Sequence, residues 1–372
     1  MIAALVCLAA SLSRQDGSFW TKTVLPMPPN STTALYIQER SDPMDPPKES
    51  PKAFGEEKLH WQFPWIVAGY SHSNGSPPSQ DEKVRVYAQE QKGNKAAQVA
   101  RMLMRIWEFN FERLKIVHNP TYHGGIIDAF LCFGGDPGGE QFIGEVSDPN
   151  PTNPEKHIYY MANMIYVYDM PSFTDPVEMA REVAHEYGHA TLYPIGGFTD
   201  PERWANGYLA EKLDLRWISD AMGKGLLTPD DAMGATKPAI DKWLAEHADP
   251  LVMKAAQTLP TSDLLANPKK EGMDAFIGLA LYVEQLYTDR VFARSLQIGG
   301  TTDAKDYPQG VVLAAEEPEQ VTLKIPPSLV GKPIWIPLGT GHLSGAPILK
   351  KDPEGWVQIK PGTGPVVIFN NH

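Results

Sequence analysis

The sequence predicts an α+β fold: a mixed sheet, a helical lobe, and a small C-terminal all-β module. Three observations carry this reading. Hydrophobic residues make up 42% and charged residues 21% of the chain, the balance of an ordinary globular protein, which excludes wholesale disorder. Helical 3–4 periodicity concentrates in the middle of the chain, and short β-type runs flank it on both sides. The 34 prolines are about twice the usual share. They demand ordered loops and extended segments, not a helical bundle. A length of 372 residues suits two domains, or one large domain with an accessory one.

The elements follow in order. Ile2–Leu12 is an apolar run too short to span a bilayer, with small residues at Ser11 and Ser13. It reads as a signal peptide over residues 1–13, and so as a secreted or periplasmic chain. Without cleavage the chain would read as cytoplasmic. Cleavage would leave Cys132 alone, and a lone cysteine forms no internal disulfide. Residues 14–92 are Pro-rich, with β-like pieces at Ala34–Gln38, Trp61–Ala68 and Val84–Gln89, and an exposed loop at Ser71–Asp81. Residues 93–310 form the main domain. Lys95–Ile116 is a helix with Val99, Met102, Leu103, Ile106 and Phe109 on one stripe. Gly125–Phe133 and His157–Tyr168 are β runs joined by a Gly/Pro/Asn-rich connection. Helices are expected at Pro176–Tyr193, Pro201–Met222, Asp241–Leu259 and Gly272–Gln297. Residues 311–372 form the β module, with strands at Val321–Ile325, Ile334–Pro337, Trp356–Ile359 and Val366–Phe369.

Charge narrows the function classes. With 33 basic and 45 acidic residues the net charge is −12, which argues against non-specific nucleic-acid binding and against an anionic membrane surface. No apolar stretch reaches spanning length, so no membrane span is expected.

One motif carries chemistry. His185-Glu186-Tyr187-Gly188-His189 is an H-E-x-x-H sequence in mid-helix. Asp175-Pro176-Val177-Glu178 supplies a capping box with Pro at the first helical position. Ala180, Val183, Ala184, Tyr187 and Ala190 form an apolar back. Residues i and i+4 share a helix face, so His185 and His189 can each offer an imidazole nitrogen to one Zn²⁺. Glu186 lies about 100° further round, placed to take a proton from a water that the metal activates. Gly188 leaves room for a neighbouring backbone.

A catalytic zinc needs a third protein ligand. Leu192 and Ile195 occupy the positions where one class carries a Gly and a third histidine, so the following helix must supply it. Glu211 shares its wheel face with Trp204, Tyr208, Leu215, Ile218 and Met222, and a carboxylate on so apolar a face needs a partner. Glu211 is the expected third ligand. Asp214, one turn on, is expected to hold a histidine through its second ring nitrogen. Glu202 falls about 180° from Glu211 on a continuous helix, where a capping role suffices. Glu202 and Asp214 are the alternatives.

At these residues the sequence resembles the gluzincins, the thermolysin-like zinc peptidases. Their H-E-x-x-H helix is followed by a helix that donates a glutamate. Trp204-Ala205-Asn206-Gly207-Tyr208-Leu209-Ala210-Glu211 is similar to their W-x-N-E-G-x-A-E stretch. Gly207 stands at the usual glutamate position, and Glu211 follows one turn later. The resemblance implies a metallopeptidase core, one catalytic zinc, a peptide or protein substrate, and Glu186 as general base. It also implies a substrate-binding edge strand, for which His157–Tyr168 is the candidate with Gly125–Phe133 as its neighbour. A Tyr or His oxyanion donor is implied too. Tyr282, Tyr287 and His247 are candidates, and Tyr282 is taken as the catalytic one. The alternative reading is a catalytically inactive relative that serves as a binding or scaffold protein. The remaining histidines show no ligand spacing. Gly134–Gly139 reads as a turn, since it lacks the ending of a phosphate loop.

Overall fold

The structure, a computed structural model, describes residues 20–25, 33–44, 63–71, 82–88, 94–150, 153–299 and 303–370. The expected signal peptide lies outside the described residues, and so does most of the Ser71–Asp81 loop. Contacts divide the chain into two units. The first comprises Met1–Glu108, Val117–Ala190 and Ala221–Lys237; the second comprises Phe109–Ile116, Thr191–Asp220 and Pro238–His372.

The first unit is built on a seven-stranded mixed sheet. Its strands are β1 (Trp20–Leu25), β2 (Thr33–Met44), β3 (Phe63–Ser71), β4 (Glu82–Ala88), β5 (Ile127–Leu131), β6 (Gly138–Asn150) and β7 (Asn153–Tyr168). The order is β1-β2-β3-β4-β5-β7-β6. Neighbours from β1 to β4 are antiparallel, β4–β5–β7 run parallel, and β6 returns antiparallel beside β7. So the Pro-rich N-terminal stretch contributes more strand than its composition suggested, and it belongs to the same sheet as the central runs.

This topology corrects the expected edge. β7 lies between β5 and β6, so it is an interior strand, and β6 is the edge. The Gly138-Gly139 doublet and the Asp148-Pro149-Asn150 end of β6 read as a connection because both are turn-like in composition. Only the bend before Gly138 is a turn.

Alternation along the strands sorts the two faces of the sheet. On one face Tyr87 stacks on Phe130 at 4.6 Å, Phe130 on Tyr166 at 4.9 Å, and Tyr166 on Tyr168 at 5.9 Å. Cys132, Val146 and Met164 complete this buried layer. Cys132 is a free thiol, and burial pushes its pKa up, which leaves it unreactive. The other face receives two helices, α1 (Asn94–Phe109) and α2 (Pro176–Thr191). Val99, Met102, Leu103 and Ile106 of α1 are fully buried, as their stripe predicts. Beyond Phe109 the expected helix widens into a π-helical turn at Asn110–Leu114 that ends on left-handed Lys115. Arg105 of α1 is held by buried Asp231 at 3.1 Å and by Glu108 at 2.8 Å.

The second unit is mainly helical. Its helices are α3 (Asn206–Gly223), α4 (Lys237–His247), α5 (Asp249–Gln257), α6 (Ser262–Leu265), α7 (Lys270–Leu286), α8 (Asp289–Gly299) and α9 (Tyr307–Glu316). Two expected helices are each broken in two. Asp241–Leu259 breaks at Ala248, just before Pro250, whose ring removes a donor. Gly272–Gln297 breaks at Tyr287, which is extended and buried. The expected module boundary at residue 311 falls inside α9 and is corrected to about residue 320. Buried Val311, Val312, Ala314 and Ala315 are helical in spacing, although their composition looks β-like.

The C-terminal strands are β8 (Gln320–Leu323), β9 (Ile334–Pro337), β10 (His342–Ser344), β11 (Ile348–Lys351), β12 (Trp356–Ile359) and β13 (Val366–Phe369). They form two three-stranded antiparallel sheets, ordered β10-β13-β8 and β11-β12-β9. Helix α7 is bonded directly to this module. Tyr282 donates its hydroxyl to the Trp335 carbonyl at 2.9 Å, and Tyr287, just past its end, donates to that of Pro337 at 3.0 Å. Replacing Tyr282 by Phe would leave a buried carbonyl without a donor. A loss of about 1–3 kcal/mol in stability is expected, read from the denaturant midpoint of Tyr282→Phe against wild type.

Candidate metal centre

Helix α2 starts as its sequence indicates. The Asp175 carboxylate accepts the Val177 N–H at 2.8 Å. The reciprocal half of the expected capping box is absent, because Glu178 pairs with Arg181 at 3.0 Å instead. The helix is then buried along most of its length, including Glu182, His185, Glu186 and Tyr187.

His185 and His189 do converge. Their Nε2 atoms stand 3.1 Å apart, and the rings meet edge to face with centroids at 4.8 Å. Two nitrogens bound at 2.0–2.1 Å to one tetrahedral ion would lie about 3.3 Å apart. The pair therefore fits a shared zinc almost without movement.

Glu186 is only 4% exposed. It lies against the opening of the edge strand β6. A Cβ built on Gly139 would stand 2.4 Å from the Glu186 Cγ and 2.7 Å from its carboxyl carbon. Only glycine lets the strand pass this close to the acid. Gly139 carries no motif of its own, and its one signal in the sequence is the Gly138-Gly139 doublet. At the other end of the helix, Asn163 of β7 donates to the Ala190 carbonyl at 2.9 Å and accepts from Gln141 of β6 at 2.7 Å. The motif helix is thus fitted to β6 and β7 at two levels.

The back of the motif is also held. His118 is half-buried, and its ring bridges two partners. Its Nδ1–H donates to the Gly125 carbonyl at 2.9 Å, and its Nε2 accepts from the Tyr187 hydroxyl at 2.6 Å. Burial pushes the His118 pKa down to about 4, so the ring is neutral and can fill both roles. Its neighbour His123 is bonded to buried Asp128 at 2.7 Å, and Asp128 also accepts from Tyr87 at 3.1 Å. Both histidines are satisfied structural groups, as the absence of ligand spacing indicated.

The other expected site residues lie in the second unit. Glu211 is buried in α3, ion-paired with Lys212. Lys212 in turn lies 5.4 Å from the Tyr208 ring and 5.6 Å from that of Trp243. Asp214 is fully buried, and neither carboxyl oxygen has a hydrogen-bond partner among the described residues. Burial raises its pKa well above the usual carboxylate value. The expected support of a histidine ring nitrogen by Asp214 is therefore corrected: no nitrogen meets it. Glu202 is half-buried in the irregular stretch before α3, which begins only at Asn206. The expected oxyanion donor is corrected likewise. Tyr282 is fully buried, its phenol pKa is raised by that burial, and its hydroxyl is committed to Trp335. Tyr287 is committed to Pro337, and His247 is exposed beside Trp243.

No described helix is long and apolar enough to cross a membrane. Comparison with known proteins adds no relative: no family model matches the chain, and no curated protein matches it.

His118 makes the first unit acid-sensitive. Its pKa is about 4 when folded, against 6.5 for the free side chain. Above pH 6.5 both states are neutral and the ring carries no penalty. As pH falls towards 4 the unfolded chain takes up the proton first, and stability declines by at most about 1.4 kcal/mol per pH unit. Denaturant unfolding at stepped pH should show this slope in wild type and a smaller one in His118→Gln.

Proposed function

We propose that this chain is a zinc-dependent peptidase. The observation that carries the reading is the His185–His189 pair, with Nε2 atoms 3.1 Å apart on a helix whose intervening Glu186 is buried against a sheet edge. A purely structural helix has no use for Glu186 in that place, since burying a carboxylate is unfavourable.

A bound zinc would supply Lewis acidity to a water and to the scissile carbonyl. The chain's own residues do the rest. Glu186 takes the proton as the water oxygen attacks the carbonyl carbon, and passes it to the leaving amine. Among the described residues β6 is the last strand of the sheet, and an extended peptide adds as a further strand along its outer side. Gly139 brings that edge up to Glu186, so a peptide paired along β6 is delivered to the general base.

The third ligand we assign to Glu202, in place of Glu211. The wheel argument that turned Glu202 away required a helix from residue 201, and α3 starts at Asn206. Glu211 already has an ammonium partner in Lys212. A carboxylate so paired would have to leave its lysine to bind metal.

Three measurements test this. Zinc content should be one per chain in wild type and absent from a folded His185→Ala/His189→Ala double variant; full zinc in that variant would place the site elsewhere. Glu186→Gln should keep its zinc and lose hydrolysis of a mixed peptide library by about 10²–10⁴-fold. Near-normal turnover would remove Glu186 from its role, and a zinc-loaded wild type inert on every peptide would leave the binding-protein reading in its place. Glu202→Ala should lose zinc at a chelator concentration where Glu211→Ala retains it. The reverse order would restore Glu211 as ligand.

A further inference from the structure

The hydrogen bond from Tyr187 to His118 lies where it controls the aim of both histidine ligands. Tyr187 is two residues from His185 and two from His189. At 100° per residue it projects about 160° from each, on the back of the helix, at a height between the two ligands. Two other polar attachments of α2 hold its ends by backbone groups: Asp175 on the Val177 N–H, and Asn163 on the Ala190 carbonyl. Backbone groups lie close to the axis and resist rotation weakly. The apolar back between them is small, with Ala180, Val183 and Ala184 fully buried. Tyr187 is the long lever. Its hydroxyl is 2.6 Å from the His118 Nε2, and the two rings pack edge to face at 5.8 Å. The far side of the His118 ring is held in turn by the Gly125 carbonyl at 2.9 Å. Gly125 closes the short turn just before β5, so the chain runs from the sheet, through His118, to the back of the motif.

Magnitude makes this lever matter. An imidazole nitrogen about 5–6 Å from the helix axis moves about 1 Å when the helix turns by about 10°. A metal site tolerates about 0.2 Å. A hold that limits rotation to a few degrees therefore separates a competent site from a poor one. We infer that His118 is a positioning residue for the metal centre: neutral, never touching the ion, and acting through Tyr187 to set the direction in which His185 and His189 point. This rests on the metal-binding reading above. It assigns a role to a histidine 67 residues upstream of the motif.

The test uses cobalt(II) as the probe in the full-length chain, because its visible absorption reports ligand geometry as well as occupancy. Tyr187→Phe removes one hydroxyl, and His118→Ala removes the ring. Each should keep its circular dichroism and cooperative unfolding, bind cobalt about 10–100-fold more weakly, and show a changed visible band. His118→Gln, whose amide oxygen can accept from Tyr187, should recover most of the affinity and the band. If His118→Ala does not fold, Tyr187→Phe carries the test alone. Tyr282→Phe loses a comparable buried hydrogen bond in the second unit and should bind cobalt as wild type does. Wild-type affinity and spectrum in both Tyr187→Phe and His118→Ala would overturn the inference. So would an equal loss in Tyr282→Phe, which would show that any destabilisation suffices. A wild-type chain that takes up no cobalt would overturn the metal reading itself, and the inference with it.

Discussion

Helix α2 buries Glu182, His185 and Glu186 within about one turn, and every buried ionisable group must be matched or neutralised. That requirement organises the first unit around the motif. Arg181 reaches over to Glu182 at 2.8 Å. The two imidazoles face each other. Glu186 is given a glycine of β6, Gly139, to lie against. Even the intervening tyrosine finds a neutral histidine for its hydroxyl. A helix selected only for packing would carry leucine or alanine at these places and need none of this apparatus.

The sheet answers the same requirement from the other side. Its α2-facing surface presents Asn163 and Gly139, a polar group and a missing side chain, where an ordinary sheet–helix contact would have aliphatic ones. Its opposite surface carries an aromatic stack of Tyr87, Phe130, Tyr166 and Tyr168. The helix-facing surface is apolar as well, with Val84, Val86, Ala129, Ile165 and Val167 buried, so Asn163 and Gly139 are local exceptions set beside the motif. The second unit shows a similar economy in Tyr282 of α7 and Tyr287 just past its end, which bond to the backbone of β9 directly and so commit their hydroxyls to architecture.

The sequence made some of this legible. The His–Glu–His helix, its Pro176 start, the α1 stripe and four of the six C-terminal strands are local patterns, and local patterns survive folding. What was missed depends on distance or on breaks. β6 hid behind glycines and prolines because an edge strand needs few apolar residues. The wheel that sorted Glu202 from Glu211 assumed five helical residues that are not helical, so its angle had no meaning. Asp214 looked like a helper because it was one turn from Glu211, yet the structure gives it no hydrogen-bond partner among the described residues. His118 carried no signal at all, since its partners are seven and 69 residues away.

The place of β6 at the sheet margin has a consequence for how the protein behaves in company. A strand of 13 residues that ends the sheet among the described residues is a template for any extended chain, including the same strand of another molecule. Its first turn-like glycines suit close approach and invite little packing. Further along, exposed Ile143 makes the margin adhesive. What counters it is charge: Glu140 and Glu145 sit on the same strand, and two copies meeting edge to edge would bring like charges together in a chain that is already acidic. An uncharged or basic extended segment meets no such repulsion. Acidic residues on this strand thus work against its pairing with a copy of itself.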